Sequence, residues 1–310
     1  MPPAIDDPSP TKARVWVLIK CVWLLGMVAI GVLLLRRHLD QVVLYMTALA
    51  WWQIVLCIAS LVAGKILLSR SAADAVAAQG VAMPFLTAWS FVSLSQLGKY
   101  IPGGFWHLLG RGGLYSSIGM DLKTISKALL LENIWQWLAA LLIGIAFVLP
   151  YHVPMISAKV QTPLLVLAGS AAALLAWYFV LGCFHRRLTA DDSDPSAHAT
   201  RALTIQVGAW FCFGFSLWSL FPIAPSLGSL GLGVGAFAIA AFAGFIVPVA
   251  PAGLGVREAA LAAALLPILT IEQAAICAGL NRVAWLAVEL SLAGGLQMRA
   301  FSGHRAGTGT

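Results

Sequence analysis

The chain has 310 residues, 60% of them hydrophobic and only 10% charged, whereas soluble domains carry about 25% charged residues. Too few polar side chains are present to cover a soluble surface, which excludes a water-soluble enzyme or binding module. The net charge of +7 comes from Lys and Arg scattered among apolar stretches, so nucleic acid is excluded as a partner and the positive-inside pattern of a membrane protein explains the charge instead.

Taken in chain order, a short cytoplasmic tail (1–14) is expected to lead into a single transmembrane domain over 15–298, followed by a second cytoplasmic tail (299–310). The first apolar run, 15–35, follows Lys12 and Arg14 and is closed by Arg36 and Arg37. It is too long for a signal peptide and lacks small residues where cleavage would fall, so it reads as a retained span. Six segments read as full spans: about 15–35, 42–64, 124–149, 162–184, 203–221 and 271–297. Residues 202–256 contain no Asp, Glu, Lys, Arg or His at all.

Two further apolar regions, 84–120 and 229–267, are interrupted: the first at Pro102, Gly103 and Gly104, the second at Pro248 and Pro251 through Gly253 and Gly255. Each reads as a re-entrant broken hairpin. Lys65 and Arg70, and Arg186, Arg187 and Arg201, are expected in cytoplasmic loops. An even number of crossings must separate these loops, which a hairpin between them satisfies. Half one (15–149) and half two (162–298) then share the order span, span, broken hairpin, span. With three crossings each, the second half is inverted relative to the first. The fold expected is an all-α polytopic membrane protein with about six spans, two re-entrant hairpins and an inverted repeat. It belongs in the cell (inner) membrane, with both termini cytoplasmic.

The halves also match in spacing. Pro102 precedes Glu132 by 30 positions and Pro251 precedes Asn281 by 30, so Glu132 and Asn133 answer Asn281 and Arg282. Irregular backbone at membrane depth is tolerated where it lines a watery cavity, since unsatisfied amides are costly in hydrocarbon. Helices restarting near Phe105 and Val256 would turn free N–H groups toward that cavity, with Arg111 and Arg257 adding full positive charges. These groups suit a phosphate or carboxylate. Glu132, Arg282 and Glu289 fall inside spans and are functional candidates. Arg282 and Glu289, seven residues apart, are expected to share a helix face and pair.

Metal chemistry finds no support in the sequence. All eight aspartates, Asp74 among them, are expected in tails or loops, and there is no His-Glu-x-x-His run. The five cysteines sit in apolar stretches without a Cys-x-x-Cys pair. No cofactor or metal is therefore expected.

The segment Gly98-Lys99-Tyr100-Ile101-Pro102-Gly103-Gly104 with Arg111, Glu132 in the next helix, and Gly253-Leu254-Gly255-Val256-Arg257-Glu258 together resemble the transmembrane region of lysylphosphatidylglycerol synthase and its flippase-like relatives. The resemblance implies a lipid-handling membrane domain without the soluble synthetase domain. It marks Lys99, Arg111, Glu132, Arg257 and Glu258 as site positions. The function expected is binding an anionic, phosphate-bearing lipid or moving it between leaflets, with lipid- or glycan-modifying enzymes as expected partners and no enzymatic activity of its own. The alternatives are a proton-coupled carrier of small solutes using Glu132 and Glu289, a membrane scaffold, and an intramembrane transferase acting on lipid-linked substrates.

Overall fold

The computed structural model describes residues 38–101, 105–152, 162–171, 195–247 and 250–307, with six isolated positions besides: Gly26, Leu33, Arg36, Ala173, Leu174 and Trp177. Most of the expected first span, together with Pro102, Gly103, Gly104 and Pro248, lies outside the described residues. Among these residues the fold is all-helical. The elements are α1 (Leu39–Ala48), α2 (Trp51–Ala77), α3 (Phe85–Gln96), a 3-10 turn (Leu97–Tyr100), α4 (Trp106–Ser117) and α5 (Leu122–His152). They continue with α6 (Thr162–Ala171), α7 (Pro195–Trp218), α8 (Leu227–Ile246), a second 3-10 turn (Pro251–Gly253), α9 (Val256–Leu265) and α10 (Ile271–Gly307). Four of them, α2, α5, α8 and α10, contain stretches long and apolar enough to cross a membrane.

The boundaries correct the sequence reading in several places. The expected span 42–64 is two helices, broken where Leu49 and Ala50 are extended. Side chains around the break tie it to the end of α7: Tyr45 donates to the Leu220 carbonyl (2.7 Å) and Gln53 to that of Ser219 (2.9 Å). Beyond the break α2 runs 27 residues, about 40 Å at 1.5 Å per residue. Lys65, Arg70 and Asp74, expected in loops, are therefore helical. Without a proline after Pro267, α10 likewise continues to Gly307, through most of the expected tail.

Helix α7 runs antiparallel to α2. At one end of the bundle Arg201 donates to the buried Asp74 (2.6 Å) and Ser71 to the Ala202 carbonyl (2.9 Å); at the other lie the Tyr45 and Gln53 contacts. A Cβ at Gly214 of α7 would sit 2.3 Å from Val234 Cα of α8, so only glycine lets these two helices approach so closely.

The first end also holds the open side of α3 and α4, where Ala73, Val76, Met83, Ala88, Tyr115, Met120 and Ile125 share one apolar cluster. Asp121 starts α5 there, and hydrogen bonds from the Thr124 hydroxyl and amide hold its carboxyl below its usual pKa. The pair α8 and α9 opens toward the opposite end, since Gly228 packs beside Tyr151 at the end of α5. With limbs of 12 residues each, α3 and α4 are too short to cross a bilayer. Helix α8, at 20 residues, is long enough by length alone. Its tip nevertheless stacks Phe245 on Trp137 (4.0 Å), which is midway along α5. The two 3-10 turns therefore meet each other in the middle of the bundle.

Candidate functional site

The breaks that bring the turns together are built from close backbone approaches. A Cβ on Gly98 would meet the His107 amide nitrogen at 2.8 Å. Gly253, at φ +69°, lies so near Gly244 that a Cβ would fall 2.9 Å from its Cα. Ala252 is left-handed as well (φ 51°), a conformation that costs a non-glycine residue about 1–3 kcal/mol and persists where surrounding contacts hold it. The contact that holds it is Arg282, whose Nη2 donates to the Ala252 carbonyl (3.1 Å).

Around the turns lies a cavity of about 160 Å³, walled by α2, α4, α5, α7, the end of α8, the start of α9 and α10. One water needs about 10–15 Å³ of such space, so it holds about ten waters or one polar headgroup. Its cationic lining is Lys65, Lys99, Arg111, Arg257 and Arg282, and its apolar wall includes Trp137, Phe213, Phe237 and Trp285.

Three carboxylates answer these cations. Glu132 pairs with Arg111, whose Nε also donates to Ser95 Oγ (3.1 Å), and both members of the pair are buried. Glu132 lines the cavity with Arg111 bound to it. Glu289 is shared: Lys65 pairs with Oε1, Lys99 donates to the same oxygen (2.5 Å), and Tyr100 donates to Oε2 (2.7 Å). The expected pair of Arg282 with Glu289 does not form. Seven residues separate them by about 10 Å along the axis, and Arg282 turns instead to Glu258 (3.4 Å).

Arg257 is different. It is 9% exposed and lines the cavity with its guanidinium over the rings of Phe237 (4.5 Å) and Trp285 (4.9 Å). Among the described residues no carboxylate makes an ion pair with it. Aromatic faces hold a guanidinium while leaving its in-plane donors for another acceptor.

Three expected site residues play local parts. Glu258 accepts the Gly255 N–H (2.7 Å), capping α9 with its own carboxylate, and neither residue is in the cavity lining. The N–H groups expected to be free at the second break are thus partly occupied from within the chain. Asn281 is buried away from the cavity and donates to Ser216 Oγ (3.1 Å). Gly253 does line the cavity. The sequence reading missed Lys65, Tyr100, Phe237 and Trp285. Tyr100 was within reach of it, two residues before Pro102 and next to Lys99.

Among the described residues no group of three or more His, Cys, Asp or Glu is placed to hold a metal ion. Compared with known protein families and with curated proteins, the chain matches none.

Proposed function

We propose that this protein binds the phosphate-bearing headgroup of an anionic lipid in the central cavity and moves that lipid between leaflets of the cell membrane. The observation that carries the reading is the charge of the cavity. Five cations line it beside the single lining carboxylate Glu132, Glu289 and Glu258 reach Lys65, Lys99 and Arg282 from outside the lining, and Arg257 has no acidic partner among the described residues. Unbalanced buried charge costs several kcal/mol in a low-dielectric setting, and an anionic ligand offsets that cost. The resemblance of both broken segments to the flippase-like transmembrane region agrees with this reading. A proton-coupled carrier draws less support, because Glu132 and Glu289 are both engaged by cations.

In the proposed membrane arrangement, α3–α4 and α8–α9 are re-entrant hairpins entering from opposite faces, within an inverted repeat of six spans. Arg70, Lys123, Lys127 and Arg201 cluster toward the first end of the bundle, which supports the proposal that this end and both termini face the cytoplasm. In a cysteine-free background, Lys123→Cys should label from the cytoplasmic face and Ala224→Cys from the outside. Labelling of both from one face contradicts the arrangement.

The function itself is tested in proteoliposomes. Labelled phosphatidylglycerol should equilibrate between leaflets faster with the protein than without it, and labelled phosphatidylcholine should gain little. Equal rates for the two lipids would remove the anionic reading.

A further inference from the structure

We infer that the headgroup taken by the cavity is a terminal phosphate monoester, carrying two negative charges, rather than a phosphodiester. The inference rests on the reading of the cavity as a lipid-headgroup site and narrows it to one class of headgroup.

The charge count sets the preference. Lys65, Lys99, Arg111, Arg257 and Arg282 contribute five positive charges, and Glu132, Glu258 and Glu289 three negative ones, leaving a formal +2 (5 − 3). Among the described residues no other carboxylate compensates: Asp74 is held by Arg70 and Arg201, and Asp40, Asp121 and Glu272 are exposed. The surplus is also local to the cavity. Arg257 has no acidic partner among the described residues, and Lys65 with Lys99 together share the single carboxylate of Glu289. A phosphodiester supplies one charge and leaves the site positive, whereas a monoester neutralises it. An aminoacylated headgroup fits worse still, because its ammonium would meet carboxylates that are already paired.

Unused donors point the same way. The indole N–H groups of Trp137 and Trp285 are buried without an acceptor among the described residues, and both rings belong to the cavity wall. Trp285 is 7% exposed. Buried donors are nearly always satisfied, and orphans call for a missing partner. A monoester presents three unesterified oxygens to such donors, against two for a diester.

The test compares binding of short-chain phosphatidic acid, phosphatidylglycerol and phosphatidylcholine to the purified full chain at pH 8. Inorganic phosphate serves as a competitor. Phosphatidic acid should bind about tenfold tighter than phosphatidylglycerol, the size of one added charge-assisted hydrogen bond, and millimolar phosphate should displace it poorly. Arg257→Gln and, independently, Lys99→Gln each lower the surplus to one, so each should shrink the ratio between the two anionic lipids. The Lys99 variant keeps the test open if the Arg257 variant does not fold. Equal affinity for both anionic lipids, or a ratio unchanged in the variants, overturns the monoester inference and leaves the anionic-lipid reading standing. No preference for either over phosphatidylcholine overturns both. Displacement by phosphate as readily as by phosphatidic acid overturns the lipid source and assigns the dianion site to free phosphate.

Discussion

Arg257→Ala should abolish anionic-lipid movement in reconstituted vesicles while the protein still inserts. The guanidinium is held over Phe237 and Trp285, and among the described residues no acceptor takes its edge, which leaves it for two oxygens of one phosphate. A bidentate, charge-assisted contact of that kind is worth about 3 kcal/mol in a desolvated site, roughly a hundred-fold in affinity. Arg257→Lys should recover part of the activity, since it keeps the charge but loses the planar fork and the stacking. If the arginine merely anchors the start of α9, lysine should substitute fully and alanine should cost stability without costing transport. Rates measured at matched protein density, beside unfolding midpoints in detergent, separate the two roles.

The second large effect is expected on stability. Glu289 is the carboxylate that Lys65 and Lys99 share, and its side chain and that of Lys65 are almost wholly buried. Removing one member of a buried ion pair leaves an uncompensated charge and costs about 3–5 kcal/mol. Glu289→Gln keeps the shape and the Tyr100 hydrogen bond but strands Lys65, so its thermal midpoint should fall sharply. Adding Lys65→Met should recover most of the loss, because Lys99 sits on the turn beside the cavity and can turn to the water there. An unchanged midpoint in the single variant, or no recovery in the double one, would show that the pair does not hold α2 to α10.

The contrast between these two residues explains what the sequence could disclose. Arg257 was legible because it follows a Gly-x-Gly break inside a 55-residue stretch without a charge, where a cation has no bland explanation. Lys65 was not, because a lysine five residues before Arg70 reads as the cytoplasmic end of a span, and its partner lies 224 positions away. Helix interruptions were legible where proline and glycine cause them. The break at Leu49 and Ala50 has neither residue and arises from tertiary hydrogen bonds to the end of α7. The 30-residue spacing in both halves placed Glu132 and Asn281 at matching positions, yet one lines the cavity and the other is bonded to Ser216 outside it. A repeat in sequence sets where a helix passes, while the side chains facing it decide whether that position joins the site. Trp285 and Phe237 were hidden for a related reason, since aromatic residues in apolar spans ordinarily face lipid or core.

The central claim is that a lipid phosphate occupies the cavity where the two broken segments meet. An experimental structure of the protein in nanodiscs containing an anionic lipid tests it most directly. The account predicts phosphate density within about 4 Å of the Arg257 guanidinium, in hydrogen-bonding range of its donors, with acyl chains leaving between helices toward the bilayer. A cavity holding only water, with phosphates confined to the headgroup layers at the bundle ends, would contradict it.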